Sequence, residues 1–218
     1  FTKLINHEKL VYIVSSILLV FLFSFHVILK KKGNLKFELF FNLSERINLY
    51  LYFLTLFIFT FITQNVYLDF ETISWDVASY LVASLQIGEG SIPYETQWES
   101  KGPVLFYLYS FLLSLVDGNL VSFKLLNDFL LVLISFTLFL IIYRKSNRNI
   151  GKSLSTSLLF VLLMSQPWAL SEYSEIYSLL FIALAYLLLL NDEIDFFKYF
   201  LIGLFMSFST LINQGTVL

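Results

Sequence analysis

Four uncharged runs constrain this chain more than any motif in it. They extend from Leu10 to Leu29, Ile47 to Leu68, Leu154 to Leu170 and Tyr199 to Leu218. A helix that crosses a bilayer needs roughly 20 predominantly apolar residues, so each run is predicted to span. Two shorter runs, Phe129 to Tyr143 and Ile176 to Leu190, reach that length only with the polar residues beside them. Those are Asn127 and Asp128 in one case, Tyr173 and Glu175 in the other. The expected fold is therefore all-α, a polytopic transmembrane helix bundle. The balance of 58% apolar to 14% charged residues lies well away from that of a soluble domain.

The few charges fall in the loops that such helices leave behind, and no basic stripe suggests nucleic acid. The chain has no cysteine, which excludes disulfides and thiolate metal ligands without fixing the compartment. His7 stands near the terminus and His26 within the first run, so no histidine-based metal cluster exists. The first run is too long for a signal-peptide core and lacks a small-residue cleavage site, so it reads as a retained helix. The chain starts at Phe1 and stops inside an uncharged run, as expected of part of a longer protein.

Lysine and arginine collect in cytoplasmic loops, and their count gives each loop a side. Lys30, Lys31, Lys32, Lys36 and Arg46 follow the first span, while Arg144, Lys145, Arg148 and Lys152 follow the third. With both groups inside, the stretch from Asp69 to about Lys124 faces outward, together with the short turn from Gln166 to Glu175. The outer stretch mixes Trp, Tyr, Asp, Glu, Gly and Pro, and its aromatic and aliphatic content is too high for a solvated tail. It is expected to be folded. Within it, Trp75 to Ile87 reads as a helix with Asp76, Tyr80, Ala83 and Ile87 on one face, ended by Gly88-Glu89-Gly90-Ser91. Pro103 fits the first position of a second helix, Val104 to Val116, too short to span. Tyr107 and Tyr109 near its start suggest that it lies along the interface. Asp117-Gly118-Asn119 then turns the chain into the next span.

Four short elements carry a resemblance. They are Trp75-Asp76-Val77-Ala78-Ser79-Tyr80, Gly88-Glu89-Gly90-Ser91-Ile92-Pro93-Tyr94, Trp98-Glu99-Ser100-Lys101-Gly102-Pro103-Val104, and Ser174-Glu175-Ile176-Tyr177 with the apolar residues after it. In this order and on one expected side, they resemble the outer-loop motifs of the C-type (GT-C) glycosyltransferases. The likeness is to the bacterial protein mannosyltransferase-like and aminoarabinose transferase-like members. It covers residues 47–218, the amino-terminal part of such a domain; residues 1–46 would add an extra transmembrane helix and a basic cytoplasmic loop. Many members carry two adjacent acids where this chain has Asp76-Val77.

The resemblance implies an integral-membrane enzyme of a bacterial inner (plasma) membrane, with its site on the periplasmic or extracellular side. It would move a sugar from a polyprenyl-phosphate-linked donor to a glycan, lipid or protein acceptor. Such transfer needs removal of an acceptor proton and stabilisation of an anionic leaving group. By resemblance, Asp76 is the base or acceptor-orienting carboxylate, Glu175 a second carboxylate, and Lys101 the contact for the donor phosphate. Tyr80, Tyr94 and Glu172 are the further substrate-binding candidates. A divalent cation, if used, would sit on Asp76 and Glu175. The chain has no Gly-rich nucleotide loop, in keeping with a lipid-linked donor.

Each assignment has a structural alternative. Asp76 also suits a helix N-cap, and Glu175 the first turn of a helix, where the dipole favours negative charge. Lys101 also suits lipid phosphate. Trp75, Trp98, Tyr80 and Tyr94 also suit interfacial anchoring. Asn127 and Asp128, at the outer end of a span, are left out of the site. The competing function is a membrane transporter or lipid flippase, which would tolerate polar residues such as Asp128 inside its bundle.

Overall fold

The structure, a computed structural model, describes residues 45–65, 74–95, 99–166, 172–190 and 195–217. The first uncharged run, the lysines after it, both histidines and Trp98 lie outside the described residues. Seven α-helices and a short 3-10 turn, with no strand, make up the elements of the described residues. They are α1 (Glu45–Gln64), α2 (Trp75–Gly88), α3 (Pro103–Leu115), α4 (Leu120–Lys145), α5 (Ile150–Met164), α6 (Ser174–Leu189) and α7 (Phe196–Ile212), followed by Gln214–Val217.

Local chemistry explains most helix ends. Asn119, Asn149 and Asp195 cap α4, α5 and α7, each accepting from the N–H three residues on. α2 closes at Gly90, whose φ of 102° suits glycine, with the Ser91 N–H returning to the Gln86 carbonyl. Asp117 and Gly118, at φ 50° and 73°, make the turn expected before α4.

Two helices stop earlier than the uncharged runs that contain them. α5 ends at Met164, where the Gln64 amide takes the Met164 carbonyl at 2.9 Å and the Ser165 hydroxyl folds back on Val161. α7 ends at Ile212, where Asn213 turns extended, φ −138° and ψ 110°, with its amide on Glu175 at the start of α6. Among the described residues one helix, α4, is long and apolar enough to cross a membrane; the apolar stretches of α1, α3, α5, α6 and α7 are shorter. The 26 residues of α4 measure about 39 Å.

Packing places two ends apart. α1 and α5 run parallel against α4, burying Tyr52, Leu56, Phe59, Phe139, Leu158, Val161 and Leu162. α6 runs with α4 and pairs antiparallel with α7. At one end of α4, Arg144 donates to the Leu187 carbonyl at 3.2 Å, and Lys145 lies over the Tyr186 ring of α6. At the other end, α2 and α3 close over a second core of Val77, Tyr80, Leu81, Leu105, Phe106, Tyr109, Phe123, Tyr177 and Ile212. Tyr107 is exposed as an interfacial ring should be, but Tyr109, expected beside it, is fully buried. Two residues apart on a helix, the rings point some 200° apart, so one faces out when the other faces the core.

Candidate functional site

The site is built from helix beginnings. The first turn of α2 is capped by Ser74, whose Oγ accepts from the Val77 N–H at 3.2 Å. Capping therefore falls to Ser74, and the alternative reading of Asp76 as the cap is corrected: its carboxylate stays exposed in the first turn. Ser79, one turn on, shares its hydroxyl between the Asp76 carbonyl at 2.8 Å and Glu99 Oε1 at 3.1 Å.

Tyr80 lies in the core beneath α2 and α3. It is 2% exposed, and its phenol lies near Ser174 at the start of α6. Burial pushes the phenol far up; Ser174 opposes this, and the charges of Asp76, Glu175 and Glu99 add to the rise. Carboxylates on α2, the segment before α3, and α6 thus all favour the protonated form of this hydroxyl. Its ring packs against those of Phe106 and Tyr109. Trp75, 89% exposed, has the exposure of an anchor.

Lys101-Gly102-Pro103 is fixed by backbone contact. The Gly102 N–H donates to the Ile212 carbonyl at 3.1 Å, at the end of α7. A Cβ at Gly102 would lie 1.8 Å from the Leu211 carbonyl oxygen, so only glycine allows this approach. Pro103 then starts α3, where its missing N–H costs nothing. Tyr94, at φ 71°, donates to the Lys101 carbonyl at 2.6 Å and sets its ring edge-on to Phe106. A bulky residue in this region is strained, and these two contacts hold it there. Burial first and Glu99 second push the Tyr94 hydroxyl up, so it stays a donor.

Held in this way, the Lys101 ammonium meets Glu175 Oε1 at 2.9 Å. Asn213 Nδ2 donates to the same oxygen at 2.9 Å, and the Ser174 hydroxyl donates to Oε2 at 3.0 Å. The Lys101–Glu175 pair is partly open to solvent, so its contribution to stability is about 0.2–1 kcal/mol at most. Its interest is positional. Lys101 and Glu175, 74 residues apart in sequence, are brought together, and Asp76 shares a face of α2 with Tyr80, whose charge state both acids affect.

Glu172 sits differently. It is 7% exposed, and its backbone carbonyl accepts from the buried Tyr109 hydroxyl. Beneath it Tyr177 donates to Asn127 Oδ1, while Asn127 Nδ2 donates to the Phe123 carbonyl at 2.8 Å. Asn127 and Asp128, set aside as boundary residues, are 0% and 4% exposed. They belong to the polar interior under the site.

Four contributors were not singled out from sequence: Ser174, Asn213, Glu99 and the Tyr109–Tyr177–Asn127 layer. Ser174 and Glu99 stood inside quoted motifs, and only their partners make them notable. Asn213 and its neighbour Gln214 are the two amides of an uncharged run, the one signal that could have found it. Among the described residues no group of three or more histidines and carboxylates could hold a metal ion. A divalent cation on Glu175 would have to displace the lysine and amide donors that now occupy Oε1. No protein-family model matches the chain, and neither a curated protein nor a solved structure matches it.

Proposed function

We propose that this chain is part of a polytopic membrane glycosyltransferase that moves a sugar from a polyprenyl-phosphate-linked donor to an acceptor at the outer face of the membrane. The observation that carries the reading is the Lys101–Glu175 ion pair at the end of the bundle opposite Arg144 and Lys145, with Asp76 and Glu175 both acting on the charge state of Tyr80. An acid beside a cation is what the reaction needs. Asp76, exposed and without a capping duty, takes the acceptor proton, and Lys101 meets the phosphate of the leaving lipid. Glu175 orients the acceptor hydroxyl or amine.

Placement in a membrane is supported by stripes that the described residues leave uncovered. Leu51, Leu54, Ile58 and Ile62 form one on α1, and Phe197, Phe200, Leu204 and Leu211 one on α7. Exposed apolar stripes of this length suit lipid better than water. The buried Asn127 and Asp128 on α4 favour the transporter or flippase reading. It is the weaker one, because Asn127 is already satisfied by Phe123 and Tyr177 and serves packing.

Deletion of the gene in its own host, followed by comparison of envelope glycans and polyprenyl-linked sugars, tests the proposal. An enzyme leaves one glycan unmodified and its lipid-linked donor in excess, restored by the wild-type gene and not by Asp76→Asn. Restoration by Asp76→Asn contradicts the assignment.

A further inference from the structure

Asn213 stands at the end of α7, in a run read as purely membrane-spanning, and its amide is turned to a definite task. Its Oδ1 accepts from the Gly215 N–H at 3.0 Å, which directs Nδ2 to Glu175 Oε1 at 2.9 Å. The residue is buried, 8% exposed, and is set by the same backbone end that receives Gly102. Glu175 Oε1 therefore has two donors of different kinds. Lys101 is a flexible cation on a four-carbon stem, whereas Asn213 is a neutral donor fixed by its own backbone turn. Lys101 can leave; Asn213 stays.

We propose that Asn213 is a positioning residue of this site, holding the Glu175 carboxylate in place while Lys101 exchanges from Glu175 to the phosphate of an anionic ligand. The inference rests on the donor reading above and adds how the site survives loss of its resting ion pair. After exchange, Ser174 still donates to Oε2 and Asn213 to Oε1, so the carboxylate keeps two hydrogen bonds and does not follow the lysine. Without Asn213, the exchanged state would leave Oε1 short of a donor, and Lys101 would be held on Glu175.

The test is binding of polyprenyl phosphate, without sugar or acceptor, to the full-length protein in nanodiscs of zwitterionic lipid. Asn213→Ala should weaken binding about two- to fivefold, the size of a partly exposed charged interaction. Glu175→Gln should tighten it by a similar factor, since Lys101 is released. In the Glu175→Gln background, Asn213→Ala should then have no effect, and in Lys101→Met neither change should matter. Should Asn213→Ala fail to insert, Asn213→Ser takes its place; its hydroxyl can accept from Gly215 but is too short to reach Glu175. Equal weakening by the Asn213 variant in both backgrounds marks a role in folding alone and overturns the proposal, as does no weakening in either. If the wild type binds no polyprenyl phosphate, the donor reading itself fails and this inference with it. The two failures are thus distinguishable.

Discussion

A methyl group on Gly102 has nowhere to go, because the Leu211 carbonyl oxygen occupies its place at 1.8 Å. Gly102→Ala must push α3 off the end of α7, and such overpacking typically costs about 1–3 kcal/mol. A lowered thermal midpoint together with weaker polyprenyl phosphate binding is expected, since Lys101 moves with its neighbour. A fully stable Gly102→Ala protein would contradict the close approach. Neighbouring side chains at the start of α2 separate stability from chemistry. Ser74→Ala removes the cap and should cost about 1 kcal/mol. Asp76→Asn removes only an exposed charge and should leave the thermal midpoint nearly unchanged. The reverse order would return Asp76 to a structural role. Asp76, Lys101 and Glu175 stood out in the sequence because charge is rare in this chain. Asn213 did not, since its partner Glu175 lies 38 residues away.

Secondary structure was legible wherever a local signal ends an element. The Gly88–Ser91 stop, Pro103 and Asp117-Gly118-Asn119 all mark boundaries close to those observed, because each acts through its own backbone. The ends of α5 and α7 were not, because Gln64 and Glu175 set them from other helices. Burial of Tyr109 likewise depends on which face α3 turns to the core. Across α4 and α6, Tyr177 and Asn127 join two helices by one buried hydrogen bond. Tyr177→Phe would leave Asn127 Oδ1 without that donor, a loss of about 1–3 kcal/mol. Tyr177→Phe with Asn127→Leu should recover part of it, since both polar groups go together. Thermal unfolding of the single and double variants in detergent measures this, and strictly additive losses would show that the bond is not a coupled pair.

For the whole molecule, the account requires one side for the site and the other for the basic turn. The cysteine-free chain suits the test. A cysteine at Glu95 should react with an impermeant maleimide added outside, and one at Asn147 only after the membrane is opened. Reaction of both from the same side would remove the topology. The proposed chemistry is measured by transfer of labelled sugar from polyprenyl phosphate to acceptor by the full-length protein. Wild-type protein should transfer. Asp76→Asn, equally folded and inserted, should be slower by 10² to 10⁴, the range of about 3–5 kcal/mol typical of a lost general base. Turnover by Asp76→Asn at the wild-type rate would contradict the account.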